Sequence, residues 1–294
     1  MRLAVAVDSL NLALSGRAKN QKLPAARKIK GVVLAEPGRE IRLSKIDPAE
    51  TAGHSKKTSA TKIRRLREKL AELQEALYAE HQRSVLVVVQ GMDTSGKDGA
   101  IKSLCLGLDP NSVQLTNFKY PTAEERDHDF LWRVHKAGPR KGAVGVWNRS
   151  HYEDVLVPLV HGEITKETWR ARCTDINAFE KLLSDNGVTI LKFFLHISKE
   201  EQKCRLEARL KRAHKLWKFN LADLQERRLW DDYQMAYDDV INSCTTELAP
   251  WWIVPADRKW MRNLVMLETV VAALQKMDPK YPAAEFDPRD IAIE

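Results

Sequence analysis

SVLVVVQGMDTSGKDGA, residues 84–100, carries the strongest structural signal in this sequence. An apolar run rich in β-branched residues, typical of a buried strand, leads into Gly91, Gly96 and Lys97, and a helix-like stretch follows. Strand, glycine-rich loop and helix in this order are typical of a phosphate-binding loop, in which backbone N–H groups and a lysine surround an anion. The usual pattern continues with Ser or Thr, whose hydroxyl binds Mg²⁺, whereas here Asp98 occupies that position.

Two carboxylates therefore flank the lysine. Asp98 has an ordinary interpretation as a favourable charge in the first turn of a helix, and Asp93 as a turn-stabilising side chain. A carboxylate inside an anion site is costly, however, unless it shares a metal or a proton there. We expect at least one of the two to face Mg²⁺ or the acceptor.

Outward from this loop, strand-like and helix-like segments alternate, which predicts an α/β fold with a parallel sheet of about five strands flanked by helices. Ligands of such sheets bind at the carboxyl ends of the strands. The predicted strands are 84–90, 112–118, 143–147, 188–195 and 251–254, and the predicted helices are 97–106, 124–136, 152–160, 167–185, 199–213, 221–243 and 258–277.

Two regions before the loop need a separate interpretation. Residues 1–60 lack sustained periodicity and are expected to form a loosely packed extension, ahead of a kinase-like domain over 61–294. Residues 62–80 carry one apolar stripe on a charged helix. That helix either packs on its own domain or forms a dimer.

Composition limits the class of protein. The 294 residues carry a net charge of +8. This charge indicates an anionic partner but does not identify which kind of anion it is. Four dispersed cysteines argue against a zinc site or a disulfide framework, and the absence of a long apolar run argues against a membrane partner. We expect a cytoplasmic protein. Four histidines match no zinc spacing and are expected to be packed or capping side chains: His128, His135, His151 and His161.

Two further stretches carry charges suited to phosphate chemistry. The strand 143–147 ends in Asn148 and Arg149, where P-loop enzymes normally place a magnesium-binding Asp. The segment from Lys203 to Lys218 holds seven Lys or Arg, with Arg205, Arg209 and Arg212 on one predicted helical face. Such a segment is often a solvated basic face, but in a phosphate-loop protein a lid over the transferring phosphate is the favoured interpretation.

Several motifs, in order over roughly residues 45–282, resemble the family 2 polyphosphate kinases and specifically their class III branch. They are KIDPAETAG, QGMDTSGKDGAIK, NFKYPTAEERDHDFLWRVH, VWNRSHYEDVLV, LKFFLHISKEEQ, LWKFN and APWWIVPADRKW. The resemblance implies a three-layer, thymidylate-kinase-like P-loop kinase fold with an arginine-rich lid at about 200–220. It also implies reversible transfer of the terminal phosphate of polyphosphate to nucleoside mono- and diphosphates, so that AMP becomes ADP and ADP becomes ATP. Mg²⁺ is the implied cofactor, with Mn²⁺ as a substitute.

On this basis we assign roles to residues. Lys97 bridges acceptor and donor phosphates, Asp93 holds Mg²⁺ and polarises the attacking oxygen, and Glu153 helps to read the acceptor and is a second candidate metal ligand. The catalytic set is Asp93, Lys97, Arg149, Arg205 and Arg209. The nucleotide- and phosphate-binding set is Gly91, Met92, Thr94, Ser95, Gly96, Asp98, Gly99, Asn148 and Glu153. The polyphosphate-binding set is Lys97, Arg149, Arg209, Arg212, Lys215 and Lys218.

The expected partners are inorganic polyphosphate and AMP, ADP and ATP, with guanine nucleotides as further candidates and a second copy of the chain in a homo-oligomer, a dimer or tetramer. Nucleic acid is not expected. Two alternatives remain. An ATP-dependent nucleoside monophosphate kinase of the same fold would need an adenine pocket for ATP, and a non-catalytic nucleic-acid-binding protein would leave Lys97 and Asp93 without a role.

Overall fold

Five parallel strands form the centre of the structure, a computed structural model that describes residues 29–293. A sixth strand, of two residues, pairs antiparallel with one edge and makes the sheet mixed. In chain order the strands are β1 (Val33–Leu34), β2 (Ser84–Gln90), β3 (Val113–Asn117), β4 (Val144–Asn148), β5 (Val188–His196) and β6 (Trp251–Pro255).

Strand β2 lies inside the sheet, whose order is β1-β6-β5-β2-β4-β3. It pairs in parallel with β4 and β5, so that Val87 is opposite both Val146 and Leu191. All seven residues of β2 are buried, and because successive side chains of a strand point to opposite faces, both faces of the sheet are covered here. The loop that follows β2 therefore starts inside the carboxyl edge of the sheet rather than at its margin.

Helices cover the sheet in two groups. In one group α10 contacts both α1 and α2, and in the other α5 contacts both α6 and α9. The helices are α1 (Lys56–Glu80), α2 (Lys97–Cys105), α3 (Ala123–Arg126), α4 (Trp132–Lys136), α5 (Glu153–Val160), α6 (Lys166–Asp185), α7 (Lys199–Leu210), α8 (Ala222–Arg228), α9 (Trp230–Ser243) and α10 (Lys259–Met277). A 3₁₀ segment, Ala213–Lys218, follows α7.

The α/β fold predicted from the sequence is confirmed, and each of the five predicted strands lies within two residues of its observed bounds. The sheet differs from the prediction in its sixth, antiparallel strand. Two predicted helices are each divided in two, between Arg126 and Trp132 and at Leu229, and the predicted helix 199–213 ends at Leu210. None of the helices in residues 29–293 is long and apolar enough to cross a membrane.

Helix α1 packs within its own chain, which answers one of the questions left open by the sequence. Its apolar stripe, with Leu70 and Leu77 fully buried, lies against α10. An ion pair between Lys62 and Glu268 joins the two helices at the surface. The intramolecular interpretation of residues 62–80 is therefore confirmed.

The segment before α1 is more tightly packed than the sequence suggested. Residues 1–28 of the expected extension lie outside the described residues. From residue 29 onward, β1 pairs with β6 and Leu43 is fully buried. The backbone N–H groups of Ile41 and Leu43 donate to Asn242 and Asp238 of α9 at 2.7 and 2.8 Å. Expecting loose packing throughout 1–60 was thus wrong for the described part, because short apolar segments can gain partners that periodicity does not show.

Candidate active site

The loop between β2 and α2, residues 91–96, directs its carbonyl oxygens into the protein. Each of these six carbonyls accepts a hydrogen bond from a side chain. Lys97 donates to the carbonyls of residues 91 and 92, and Gln202 donates to that of residue 93. Arg205 donates to the carbonyls of residues 94 and 95, and Arg262 donates to that of residue 96. The C=O and N–H of a trans peptide point in opposite directions. The N–H groups of residues 96 and 97 are therefore turned away from these donors, alongside the first-turn N–H groups of α2 that lack intrahelical partners. This arrangement is that of an anion-binding loop.

Arg205 lines the larger cavity described below, but its guanidinium is bonded to the protein itself. Its side chain is only 8% exposed, and its five N–H donors have five acceptors at 2.6 to 3.1 Å. The acceptors are the Glu201 carboxylate and the backbone carbonyls of Thr94, Ser95, Ala256 and Asp257. A guanidinium whose donors are all in use supports the loop, and the place of Arg205 in the catalytic set stays a prediction.

Lys97, by contrast, has a side chain that can be redirected. Its Nζ lies 2.7 Å from the carbonyl oxygen of Gly91 and 3.3 Å from that of Met92. Burial lowers its pKa, and the neighbouring Asp93 opposes that shift. A partly desolvated ammonium with two neutral acceptors interacts strongly with a phosphate that enters the loop.

Two charged side chains of the predicted site meet directly. Nη2 of Arg149 lies 3.2 Å from Oδ1 of Asp93, and its Nε lies 3.9 Å from a carboxylate oxygen of Glu153. Arg149 adopts a positive φ of 62°, which is uncommon for a residue with a side chain, so the turn after β4 is held in a strained conformation. Burial raises the pKa of Glu153, against the opposing effect of Arg149.

A buried ion pair, which was not predicted from the sequence, lies behind that turn. Lys192 of β5 is fully buried and donates to the Glu180 carboxylate at 2.7 Å and to the Tyr152 hydroxyl at 2.8 Å. Tyr152 in turn donates to Glu180 at 2.7 Å, and His151 lies 3.3 Å from the same carboxylate. Because residues 151 and 152 directly follow Arg149 and Ser150, the network fixes the turn on which Arg149 is displayed.

Asn148 joins the end of β4 to the phosphate-binding loop. Its Nδ2 donates to Oδ1 of Asp98 at 3.0 Å and to Oδ1 of Asn117 at 2.9 Å. Its own Oδ1 is buried and has no hydrogen-bond partner among the described residues, and the same holds for the hydroxyl oxygens of Thr94 and Ser95. Buried polar atoms are normally paired, so unpaired oxygens at this edge point to a ligand or ion.

A cavity of about 690 Å³ opens over the loop, and its wall is strongly cationic. The basic segment after α7 forms one side, and Lys218 lies 3.6 Å from Asp98 across the opening. Three acidic residues line the cavity, Asp93, Asp98 and Asp223, against ten cationic ones: Lys97, Lys119, Arg149, Arg205, Arg209, Arg212, Lys215, Lys218, Lys259 and Arg262. The cavity is therefore suited to a polyanion.

Arg209 is anchored within this wall. Its Nη1 donates to the Lys218 carbonyl at 3.1 Å and to the Asp223 carboxylate at 3.2 Å. Burial raises the pKa of Asp223, and Asp93 adds to the effect. The arginine thus connects α7 to the start of α8 while its side chain stays partly exposed in the cavity.

A smaller cavity of about 190 Å³ lies on the other side of Asp93, Lys97 and Arg149, which line both spaces. Glu153, Gly91 and Met92 face this smaller cavity, together with the apolar and phenolic side chains of Leu156, Val157, Tyr233 and Tyr237. Of the predicted phosphate-binding residues, Thr94, Gly96, Asp98, Gly99 and Asn148 line the larger one. Ser95 is fully buried beneath the loop.

Sequence reasoning missed the residues that approach from α10 and α7. Lys259, Arg262 and Gln202 all contact or line the loop region. Gln202 and Lys259 lie within LKFFLHISKEEQ and APWWIVPADRKW, two stretches that carried the family resemblance but in which neither residue was given a role. Arg262 lies just beyond the second stretch, in the first turn of α10.

The oxygen donors of the site suit a magnesium ion. Mg²⁺ typically takes one or two carboxylates and completes its shell with water and phosphate oxygens. Asp93 supplies a carboxylate, and the unpaired oxygens of Thr94 and Asn148, which line the same cavity, lie on the loop and at the end of β4. In residues 29–293 there is no group of three or more His, Cys, Asp or Glu side chains that could hold a metal by itself. The donor set therefore fits a metal shared with substrate phosphates.

Comparison with known proteins places this geometry in a family. The family model described as Polyphosphate kinase 2 (PPK2) matches residues 53–282. The chain belongs to the polyphosphate kinase 2 family. The matched residues include the loop after β2, the turn after β4 and the basic segment after α7, so the site described above lies within the family's own region.

Curated and solved relatives cover most of the chain. It is 44% identical, over 88% of its length, to the AMP/ADP-polyphosphate phosphotransferase of Meiothermus ruber, of which it covers 98%. It is 39% identical, over 81% of its length, to the ADP-polyphosphate phosphotransferase of Rhodopseudomonas palustris, of which it covers 86%. The crystal structure of Polyphosphate Kinase 2 from Arthrobacter aurescens TC1 matches with a TM-score of 0.84 and 42% identity, over 87% of this chain and 92% of that one.

Proposed function

We propose that this protein transfers the terminal phosphate of inorganic polyphosphate to AMP and to ADP, in a reversible reaction that depends on Mg²⁺. Membership of the polyphosphate kinase 2 family supports the reaction class. The relative from Meiothermus ruber, named for both AMP and ADP, supports the pair of acceptors and the class III assignment. The fold we assign is the P-loop kinase fold of the thymidylate kinase type, on the strength of the strand–loop–helix unit at the centre of the sheet.

The observation that carries the proposal is the cationic cavity over the loop, with ten Lys or Arg against three acidic residues. Polyphosphate has about one negative charge per phosphate, so several of these side chains can engage one chain at the same time. Each exposed contact is weak, but contacts made together add to binding and favour long polyanions over a single phosphate.

In the transfer step an oxygen of the nucleotide's terminal phosphate forms a bond to the last phosphorus of polyphosphate. The bond from that phosphorus to the rest of the chain breaks, and the polymer leaves one phosphate shorter. Lys97 and Arg149, which line both cavities, can contact donor and acceptor together. Arg209 acts on the polyphosphate side. Positioning and charge neutralisation of this kind provide most of the catalysis in phosphoryl transfer.

Asp93 would hold Mg²⁺, with Asn148 nearby as a neutral oxygen donor and Glu153 as a further candidate ligand. When bound, the ion neutralises charge on the reacting phosphates. Before substrate binds, the Asp93 carboxylate is paired with Arg149. A carboxylate engaged by the ion would no longer be paired with Arg149, whose guanidinium would then be available to the transferring group.

The test compares two donors. The protein is incubated with Mg²⁺ and AMP, with either long-chain polyphosphate or ATP as the only donor, and ADP and ATP are followed by chromatography. We expect polyphosphate to support formation of ADP and then ATP. Efficient phosphorylation of AMP from ATP, with polyphosphate acting only as an inhibitor, would instead identify an ATP-dependent monophosphate kinase.

A further inference from the structure

Arg262 is a buried cation without a balancing carboxylate. It is 3% exposed and projects from α10 toward the phosphate-binding loop. Its hydrogen bonds go to neutral acceptors, the Gly96 carbonyl at 3.0 Å and the side-chain oxygen of Asn263 at 2.8 and 3.1 Å. Within residues 29–293 no acidic side chain forms an ion pair with it, whereas Arg205 beside it is paired with Glu201.

The surroundings of Arg262 make its charge more costly. Burial, together with the nearby Arg205, lowers the pKa of Arg262 to about 10. An arginine remains protonated at neutral pH even so. Burying a charge without a counter-charge is unfavourable, and a second cation beside it adds repulsion. Such an arrangement suggests that the counter-charge arrives with a ligand.

Gly96 in the loop and Gly99 in the first turn of α2 leave space for this guanidinium. A Cβ at Gly96 would lie 2.2 Å from Nη1 of Arg262, and one at Gly99 would lie 3.3 Å from Nη2. Gly96 also needs its positive φ of 98°. Gly99 has no such need, and in the first turn of a helix glycine is less favourable than alanine. A side chain at residue 99 would therefore require the Arg262 guanidinium to move by a few tenths of an ångström.

We propose that Arg262 is a positioning residue for the substrate phosphate, whose charge balances that of the guanidinium across Gly96 and Gly99. It holds the Gly96 carbonyl and so directs the N–H of Lys97 outward. It also supplies a permanent positive charge behind the anion. The inference rests on the proposed function, since it requires a phosphate in this loop.

Tripolyphosphate is a suitable probe because it binds without turnover when no nucleotide is present. Its Kd is measured by isothermal titration calorimetry, with the melting temperature of the ligand-free protein as a second readout. Arg262→Gln removes the charge and keeps a donor, and Arg262→Lys keeps the charge. Arg67→Gln is the matched control, because Arg67 binds Ser103 at the other end of α2 at 2.8 and 3.2 Å and does not line the cavity.

We expect Arg262→Gln to weaken tripolyphosphate binding at least tenfold, which corresponds to about 1.4 kcal/mol. Arg262→Lys should weaken it less, and Arg67→Gln should leave Kd unchanged. The ligand-free melting temperature of Arg262→Gln should equal or exceed that of the wild type, because an unbalanced charge is removed. If Arg262→Gln does not fold, Arg262→Met is measured in its place.

A lower ligand-free melting temperature together with a Kd within about twofold of the wild type would overturn the inference, because Arg262 would then be a structural support alone. Failure of the wild-type protein to bind tripolyphosphate is a different result. It would overturn the proposed function, and with it the anion that this inference requires.

Discussion

Nδ2 of Asn148 donates a hydrogen bond of 3.0 Å to Oδ1 of Asp98, and this contact joins the carboxyl ends of two neighbouring strands through the phosphate-binding loop. Asp98 stands where most phosphate-binding loops have a hydroxyl, and Asn148 stands where they have a carboxylate. The two departures are complementary. An amide opposite a carboxylate is favourable, whereas two carboxylates at this distance would repel each other.

Asn148→Asp should therefore destabilise the protein in a pH-dependent way. A carboxylate about 3 Å from Asp98 raises the pKa of one member of the pair, so the stability present at acidic pH is lost as the pH rises through that raised pKa. The Asp98 side chain is 72% exposed, so solvent screens much of this repulsion, and we expect a loss of at most about 1 kcal/mol at pH 7, partly restored by Mg²⁺. Urea unfolding between pH 4.5 and 7.5, with and without Mg²⁺, measures this. Asn117→Asp is the control, because its new carboxylate still accepts from Asn148. Equal losses in both variants would contradict the explanation.

Lys97→Met should abolish turnover and leave the fold intact. Among residues 29–293 the ammonium donates to two backbone carbonyls alone, so its removal costs little stability, but its charge is needed on the reacting phosphates. The measurement is the rate of ADP formation from AMP and polyphosphate, with circular dichroism as the check on folding. Lys102→Met, an exposed position on the same helix, should be neutral. If the variant kept more than about a tenth of the wild-type rate, Lys97 would not act on the reacting phosphates. A charged contact there should lower the activation free energy by at least ~1.4 kcal/mol.

Asp93→Asn should lose activity, and a high Mg²⁺ concentration should restore it only in part, because a neutral amide is a weaker ligand for a hard cation. The variant also breaks the ion pair with Arg149. Rates measured over a series of Mg²⁺ concentrations show the shift. Asp98→Ser is the comparison: an unchanged rate and Mg²⁺ dependence would make Asp98 a helix-start charge and nothing more.

Arg209→Ala should raise the apparent KM for polyphosphate and also lower kcat. The side chain both lines the cavity and holds the segment from residue 218 to residue 223. Added salt should weaken the use of polyphosphate more than it weakens nucleotide binding, because many partly exposed charges are involved. Steady-state kinetics at low and moderate salt test this, with Lys211→Ala as a neighbouring exposed control. If kcat changed while the KM for polyphosphate stayed the same, Arg209 would not contribute to polyphosphate binding.

Lys192→Met should be strongly destabilising, by roughly 3–5 kcal/mol, because it leaves the Glu180 carboxylate buried without its counter-charge. In the wild type, burial acts to raise the pKa of Glu180, but Lys192 and His151 together lower it. That pair therefore stabilises the fold above pH 4.5 and loses its contribution as the pH falls through the lowered pKa. Denaturant unfolding at several pH values measures both effects. The double variant Lys192→Met/Glu180→Gln should lose less than Lys192→Met alone.

The strands and the loop were predictable because their signals are local. Apolar runs of strand length and the spacing of Gly91, Gly96 and Lys97 can each be recognised within about ten residues of the chain. The breaks within two predicted helices, between residues 126 and 132 and at residue 229, were not predicted, since tertiary packing determines helix ends as much as local preference does.

The sequence by itself determined the α/β order, the position of the phosphate-binding loop and the excess of positive charge. Only the tertiary structure decided which of the arginines that line the cavity also hold the loop. Arg205 and Arg209 are one turn apart on α7, yet the donors of the first are all used by the protein, and the second reaches into the cavity. Arg262, 166 residues from Gly96, reaches the loop only because α10 packs beside α2. Charge and spacing are properties of the chain, but the acceptors available to a guanidinium depend on what the fold places around it.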